Sequence, residues 1–75
     1  MYKPIKITLH GGGEIPAALD VSKVTQKDWL KTYARVRDCN GDFVGEENYR
    51  NYVVLSDDEF GTASEAAKAA ELRMK

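Results

Sequence analysis

The residues of this chain with the most chemical potential are acidic, and they are concentrated between positions 38 and 59. That stretch holds seven acids and one base, Arg50, so its net charge is −6 in a chain whose total is −1. A concentration of one sign attracts a partner of the opposite sign and raises its association rate. Four of these acids flank turn residues, and the sequence predicts that they form a binding site: Asp38, Asp42, Glu46 and Glu47.

Three alternating oxygen ligands, Asp38, Asn40 and Asp42, repeat the opening of a calcium-binding loop. Such a loop needs glycine at its sixth position and a bidentate glutamate at its twelfth, where this chain has Phe43 and Tyr49. The spacing therefore favours a turn rich in Asp and Asn for conformational reasons. The sequence predicts no metal site and no cofactor.

His10 precedes three glycines, an arrangement also found in the oxyanion holes of some lipases and esterases. That chemistry needs a serine on a Gly-x-Ser-x-Gly turn, which the sequence lacks. The single cysteine, Cys39, follows an aspartate, and a neighbouring carboxylate disfavours the reactive thiolate. These observations favour a simple turn after His10, and they predict that the protein is not an enzyme.

A second candidate surface lies in residues 29–37, which alternate as a strand does. Aromatic rings interleaved with basic side chains can stack on single-stranded nucleic acid and neutralise its phosphates. A total charge of −1 and the acids that follow argue against this use, so nucleic-acid binding is the alternative interpretation. The face concerned consists of Trp29, Lys31, Tyr33, Arg35 and Arg37.

Seventy-five residues make one small domain, 1–75, and a single core of this size rarely supplies more than about 3 to 5 kcal/mol. One cysteine and one histidine offer neither an internal disulfide nor a zinc site. Reinforcement would then come from a partner protein or from a second copy in a homodimer. No segment is apolar enough for a signal peptide or a membrane span, which predicts a cytoplasmic protein that does not bind membranes.

Alternating apolar residues predict strands at 2–10 and 29–37, and a run rich in β-branched and aromatic residues predicts a further strand at 49–56. Three glycines end the first strand, and residues 14–22 are expected to form either an irregular loop or a short helix. Asn40-Gly41 predicts a hairpin, because both residues accept a positive φ. A brief strand at 43–45 and a turn at 46–48 are expected next; one continuous strand over 43–55 is the alternative.

The last part of the chain predicts a helix. Thr62 and Glu65 have the spacing of a capping box, in which the two side chains satisfy donors at the start of a helix. Small residues follow at helical spacing, so that one narrow face can approach a sheet closely. This face contains Ala63, Ala66, Ala67, Ala70 and Met74.

These elements predict an α+β fold, a small antiparallel β-sheet of three to four strands packed on one face by the C-terminal helix. The expected core places Ala66, Ala70 and Met74 of the helix on one face of the sheet: Ile5, Ile7, Leu9, Leu30, Ala34, Val36, Val53 and Leu55. The expected function is non-enzymatic protein binding, by a small acidic inhibitor or regulator of the phage or mobile-element accessory type. Its partner would be a larger protein with a basic surface.

Overall fold

A computed structural model describes residues 1–21 and 36–74. Within them, four strands form one antiparallel sheet in the order β3-β2-β1-β4, and helix α1 packs against β1 and β2. The predicted α+β fold is therefore confirmed. The elements are β1 Tyr2–Thr8, β2 Glu14–Asp20, β3 Val36–Arg37, β4 Asn51–Val54 and α1 Ala63–Arg73.

The first strand ends in a tight glycine turn. β1 stops at Thr8, two residues before the end of the predicted strand. The N–H of Leu9 donates to the carbonyl of Gly13 at 2.7 Å, and the N–H of Gly12 donates back to Leu9 at 2.9 Å. Gly12 has φ +96°, a region that side chains with a Cβ rarely adopt. The glycines thus reverse the chain after β1, as the sequence predicts.

Residues 14–20 form a strand, so the expectation of an irregular loop or a short helix is wrong. β2 pairs with β1 along its whole length, from Tyr2↔Asp20 to Thr8↔Glu14. The glycine turn lays this segment beside β1, and the ladder of hydrogen bonds outweighs the weak strand propensity of alanine and proline. Neither face alternates clearly with polar residues, because Ala17 and Ala18 are both buried on opposite faces. The two-residue period is therefore hidden in the sequence.

Each proline of the sheet lies where its missing N–H is not needed. Leu9 bonds to Gly13 across the hairpin, so odd residues of β1 and β2 bond to each other and even residues point away. Pro16 thus faces the β3 side, where β3 reaches only Ala18 and Leu19. Pro4 faces the β4 side, where β4 ends at Val54. Both positions follow the rule that proline avoids the paired parts of a strand.

The segment after β3 is interrupted, as the sequence predicts. Phe43 bridges back to Arg37, a 3₁₀ turn occupies Glu46–Asn48, and β4 follows. β4 is shorter than the predicted strand at 49–56. Of the predicted strand at 29–37, only Val36 and Arg37 fall within the described residues, where they form β3.

The predicted helix and Thr62 as its N-cap are confirmed, but the carboxylate of Glu65 accepts from the hydroxyl of Thr62 rather than from its N–H as a full capping box requires. The hydroxyl of Thr62 accepts from the N–H of Glu65 at 3.1 Å and donates to its carboxylate at 3.0 Å. This pair satisfies one donor that the first turn of a helix leaves open. The face that approaches the sheet is buried and consists of Ala63, Ala66, Ala67 and Ala70.

The helix packs on the other face of the sheet from the one predicted. Ala18, Ala63 and Ala66 form one buried cluster, with Tyr2 and Phe60 packed against it. Pairing puts Ala18 opposite Pro4, on the face that Ile5 and Ile7 do not share. The alanines of α1 fit the small residue at Ala18, whereas isoleucine would hold the helix further away.

The opposite face carries the larger core. It contains Ile5, Ile7, Ala17, Leu19, Val36 and Tyr49, with Leu9, Val21 and Val44 beside them. The predicted core position of Val53 is wrong, since it is 49% exposed, and Leu55 is only half-buried. Both lie in or next to an edge strand that α1 does not cover. The predicted core residues Leu30 and Ala34 lie outside the described residues.

Candidate protein-binding surface

The Asn40-Gly41 hairpin is held by one aspartate. The carboxylate of Asp38 accepts from the N–H of Asn40 at 2.9 Å and from the N–H of Asp42 at 3.0 Å. The N–H of Gly41 donates to the carbonyl of Asp38 at 3.0 Å, and Gly41 has φ +85°. Asn40 does not adopt a positive φ, so the loop is longer than the two-residue turn expected. The side chain of Asp38 therefore shapes the turn from which Asp42 projects.

Two further acids belong to the 3₁₀ turn at Glu46–Asn48. Glu46 and Glu47 are exposed, and the turn follows Gly45, whose backbone is extended. The ring Nε2 of His10 lies 3.1 Å from the carbonyl oxygen of Glu47. This contact joins the 3₁₀ turn to the glycine turn at the end of β1. A Cβ on Gly45 would lie 2.5 Å from the carboxylate of Glu47, so this side chain folds back over the glycine.

We call Asp38, Asp42, Glu46 and Glu47 the acidic surface. Asp42 and Glu46 are four residues apart, so their Cα atoms lie within about 14 Å. β3 runs antiparallel to β2, with Arg37 opposite Ala18. The chain that follows Arg37 therefore leads to the end of the sheet at which the glycine turn joins β1 and β2. Within the described part of the chain, no ion pair involves these four carboxylates. Asp42, Glu46 and Glu47 are exposed to solvent, whereas Asp38 is half-buried.

The remaining acids of the acidic stretch lie at the other end of the sheet. Asp57 is 3.7 Å from the ammonium of Lys3, and Asp58 is 4.0 Å from the guanidinium of Arg73. Phe60 bridges to Tyr2, the first residue of β1. The stretch is thus divided between two ends of one sheet.

Of the alternative nucleic-acid face, only Arg37 lies within the described residues. Arg37 donates to the carbonyl of Gly41 at 3.5 Å, and its Nε atom is buried without a hydrogen-bond partner. This guanidinium is directed into the hairpin of its own chain. The other members of that face lie outside the described residues: Trp29, Lys31, Tyr33 and Arg35.

Other kinds of site find no support in the described ranges 1–21 and 36–74. They contain no group of three or more His, Cys, Asp or Glu side chains that could hold a metal ion. They also contain no helix long and apolar enough to span a membrane. Cys39 is an exposed free thiol in the hairpin.

One surface was not anticipated from the sequence. β4 lies at an edge of the sheet, and its apolar residues Tyr52, Val53 and Val54 are 38%, 49% and 41% exposed. An aromatic residue followed by two β-branched residues predicts a strand but does not tell whether it is central or at an edge. The segment contains no lysine and no proline, but central strands lack them as well, so their absence does not identify an edge strand.

The chain was also compared with known proteins. No protein-family model matches it, and no curated protein or solved structure is significantly similar to it.

Proposed function

We propose that this chain is a non-enzymatic protein-binding module whose acidic surface engages a basic surface on a larger protein. The observation that carries this proposal is the exposure of Asp42, Glu46 and Glu47 at one end of the sheet, without ion pairs to the described residues. A carboxylate that already pairs with a base of its own chain attracts a partner less strongly than an unpaired one. These three carboxylates are therefore accessible to a cation of another protein.

The four acids have different roles in this proposal. Asp38 uses its carboxylate to hold the hairpin, so it positions Asp42 and adds its charge to the local field. Asp42, Glu46 and Glu47 make the contacts. Exposed charges of this kind mainly raise the association rate and the dependence of binding on salt. Inhibition or regulation of that partner follows if the module covers a functional basic groove.

The test compares two variants with equal changes in charge. The first neutralises the acidic surface with Asp42→Asn, Glu46→Gln and Glu47→Gln. The matched control neutralises the opposite end with Asp57→Asn, Asp58→Asn and Glu59→Gln. The ion pairs lost in the control are exposed and contribute little to stability, so both variants are expected to fold, which circular dichroism checks.

Tagged wild-type protein and both variants are used to capture proteins from cell extract at low and high salt, with quantification by mass spectrometry. We expect proteins that the wild type and the control retain at low salt, that high salt releases, and that the acidic-surface variant does not retain. Equal capture by the two variants would contradict the proposal, as would no specific capture at either salt.

A further inference from the structure

The strongest unassigned feature is the open edge of the sheet at β4. Successive residues of an antiparallel strand direct their N–H and C=O groups to alternate sides. Leu55 donates its N–H to the carbonyl of Pro4 at 2.9 Å, so Leu55 and Val53 face β1. Tyr52 and Val54 therefore direct two N–H and two C=O groups away from the sheet. Within the described residues, these groups have no strand beside them.

The other edge of the sheet is closed. The N–H of Val44 donates to the carbonyl of Val36 at 2.9 Å, and Phe43 bridges to Arg37. The returning arm of the hairpin thus covers β3, which is only two residues long. Natural sheets guard an open edge with lysine, proline or a bulge. β4, with the sequence Asn-Tyr-Val-Val, has no charge and no proline.

The apolar side chains of β4 occupy both faces of this edge. Tyr52 pairs with Ile7 and Val54 with Ile5, so both lie on the face with the larger core. Val53 lies on the face that α1 packs against, beside Lys6. An edge that is apolar on both faces, with backbone groups that pair with none of the residues in 1–21 and 36–74, suits the addition of another strand.

We propose that β4 pairs antiparallel with β4 of a second copy, about a two-fold axis at Val53, to form one continuous sheet. In this register Tyr52 of each copy lies opposite Val54 of the other, and the outward N–H and C=O groups form four hydrogen bonds. Aromatic and β-branched residues make favourable cross-strand pairs. The two Val53 side chains meet on the other face.

Charge at the ends of β4 favours a second copy in this orientation. Arg50 precedes the strand, whereas Asp57 and Asp58 follow it, and all three are exposed. Antiparallel pairing brings the basic end of each strand to the acidic end of the other, twice in each dimer. Parallel pairing would bring like charges together. The same surface on both copies makes a closed, isologous interface.

Sedimentation equilibrium of the wild type tests for the dimer. A four-residue strand gives a small interface, so concentrations from about 10 μM to about 1 mM are needed. We expect the average mass to rise toward that of a dimer. Val53→Lys puts two like charges at the axis and is expected to keep the protein monomeric, while Leu72→Lys, on the exposed side of α1, leaves the dimer unchanged.

A backbone variant separates strand pairing from simple hydrophobic contact. Val54→Pro removes an N–H that points outward, so no hydrogen bond between the described residues is lost, and proline is tolerated at such edge positions. We expect it to remain folded and monomeric. Val54→Thr keeps the N–H and the branched shape, and it is expected to dimerise like the wild type.

Disulfide trapping tests the register, in a Cys39→Ser background that removes the native thiol. At the two-fold axis the Cα atoms of Val53 would lie about 4.5 Å apart, within disulfide reach. Asn51 of the two copies would be separated by about 13 Å, four residues along the strand. Val53→Cys should therefore cross-link under mild oxidation, and Asn51→Cys should not.

The proposal is overturned if the wild type stays monomeric over the whole range and Val53→Cys does not cross-link. That result would leave the edge to a strand of a different protein. Equal cross-linking of the two cysteine variants would also overturn it, since it would show unspecific contact. These outcomes do not depend on the acidic surface, so the proposed function can fail separately.

Discussion

Asp38 and Asp42 are joined by two hydrogen bonds that run in opposite directions. The N–H of Asp38 donates to the carbonyl of Asp42 at 2.9 Å, and the N–H of Asp42 donates to the carboxylate of Asp38 at 3.0 Å. Asp38 and Asp42 are both aspartates, but they have different structural roles. Asp38 closes the hairpin, and Asp42 presents a charge.

This difference predicts unequal effects of removing the two carboxylates. Asp38→Ala leaves the N–H groups of Asn40 and Asp42 without their acceptor and is expected to lower the free energy of unfolding by about 1 to 2 kcal/mol. Asp42→Ala should change it by less than about 0.5 kcal/mol. Urea denaturation of both variants measures the difference; equal losses would contradict the assigned role of Asp38.

The position of the larger core predicts that substitutions at Ile7 and at Val53 have different effects on stability. Ile7 is fully buried, and Ile7→Val should lower the free energy of unfolding by about 0.5 to 1.5 kcal/mol because it leaves a small cavity. Val53 is 49% exposed, so Val53→Ala removes a larger fraction of its side chain at a smaller cost. Thermal denaturation at low concentration, where a dimer does not contribute, compares them. A larger loss of unfolding free energy for Val53→Ala than for Ile7→Val would contradict the assignment of the larger core to the face of Ile7.

The capping box predicts a third contrast, at the start of α1. Thr62→Ala removes the acceptor for the N–H of Glu65 and is expected to cost about 1 kcal/mol of stability. Ser64→Ala is the matched control, since Ser64 is exposed and alanine is a better helix former. Guanidinium denaturation monitored by circular dichroism reads both. A loss in Ser64→Ala as large as that in Thr62→Ala would show that the cap contributes nothing specific.

The features predicted correctly are those that depend on near neighbours in sequence. Thr62 and Glu65 are three residues apart, and the hairpin at Gly41 closes within five residues. β2 was missed because its strand conformation comes from pairing with β1 and not from its own composition. The side on which α1 packs was missed because β1 has apolar residues on both faces, Ile5 and Ile7 on one and Tyr2 and Pro4 on the other.

The sequence identifies the acidic residues of the candidate site, but it does not show which of them shape the turn and which present their charge. That the acceptor role falls to Asp38 depends on the path of the hairpin, and that Asp57 meets Lys3 depends on the pairing of β1 with β4. The open edge depends on strand order, which is set by contacts between distant residues. Only the fold assigns Tyr52 and Val54 to an outer strand.

The two prolines have a further consequence for the accuracy of folding. When a sheet has apolar residues on both faces, burial distinguishes poorly between the native register and a shifted one. A shift of β1 against β2 by one residue would still bury apolar side chains. Such a slip, however, exchanges bonding and non-bonding positions in one strand. Either Pro4 or Pro16 would then face its neighbour at a place that requires a donor, and a hydrogen bond would be lost. The prolines thus penalise the nearest misaligned hairpin, a selection that hydrophobicity alone does not provide.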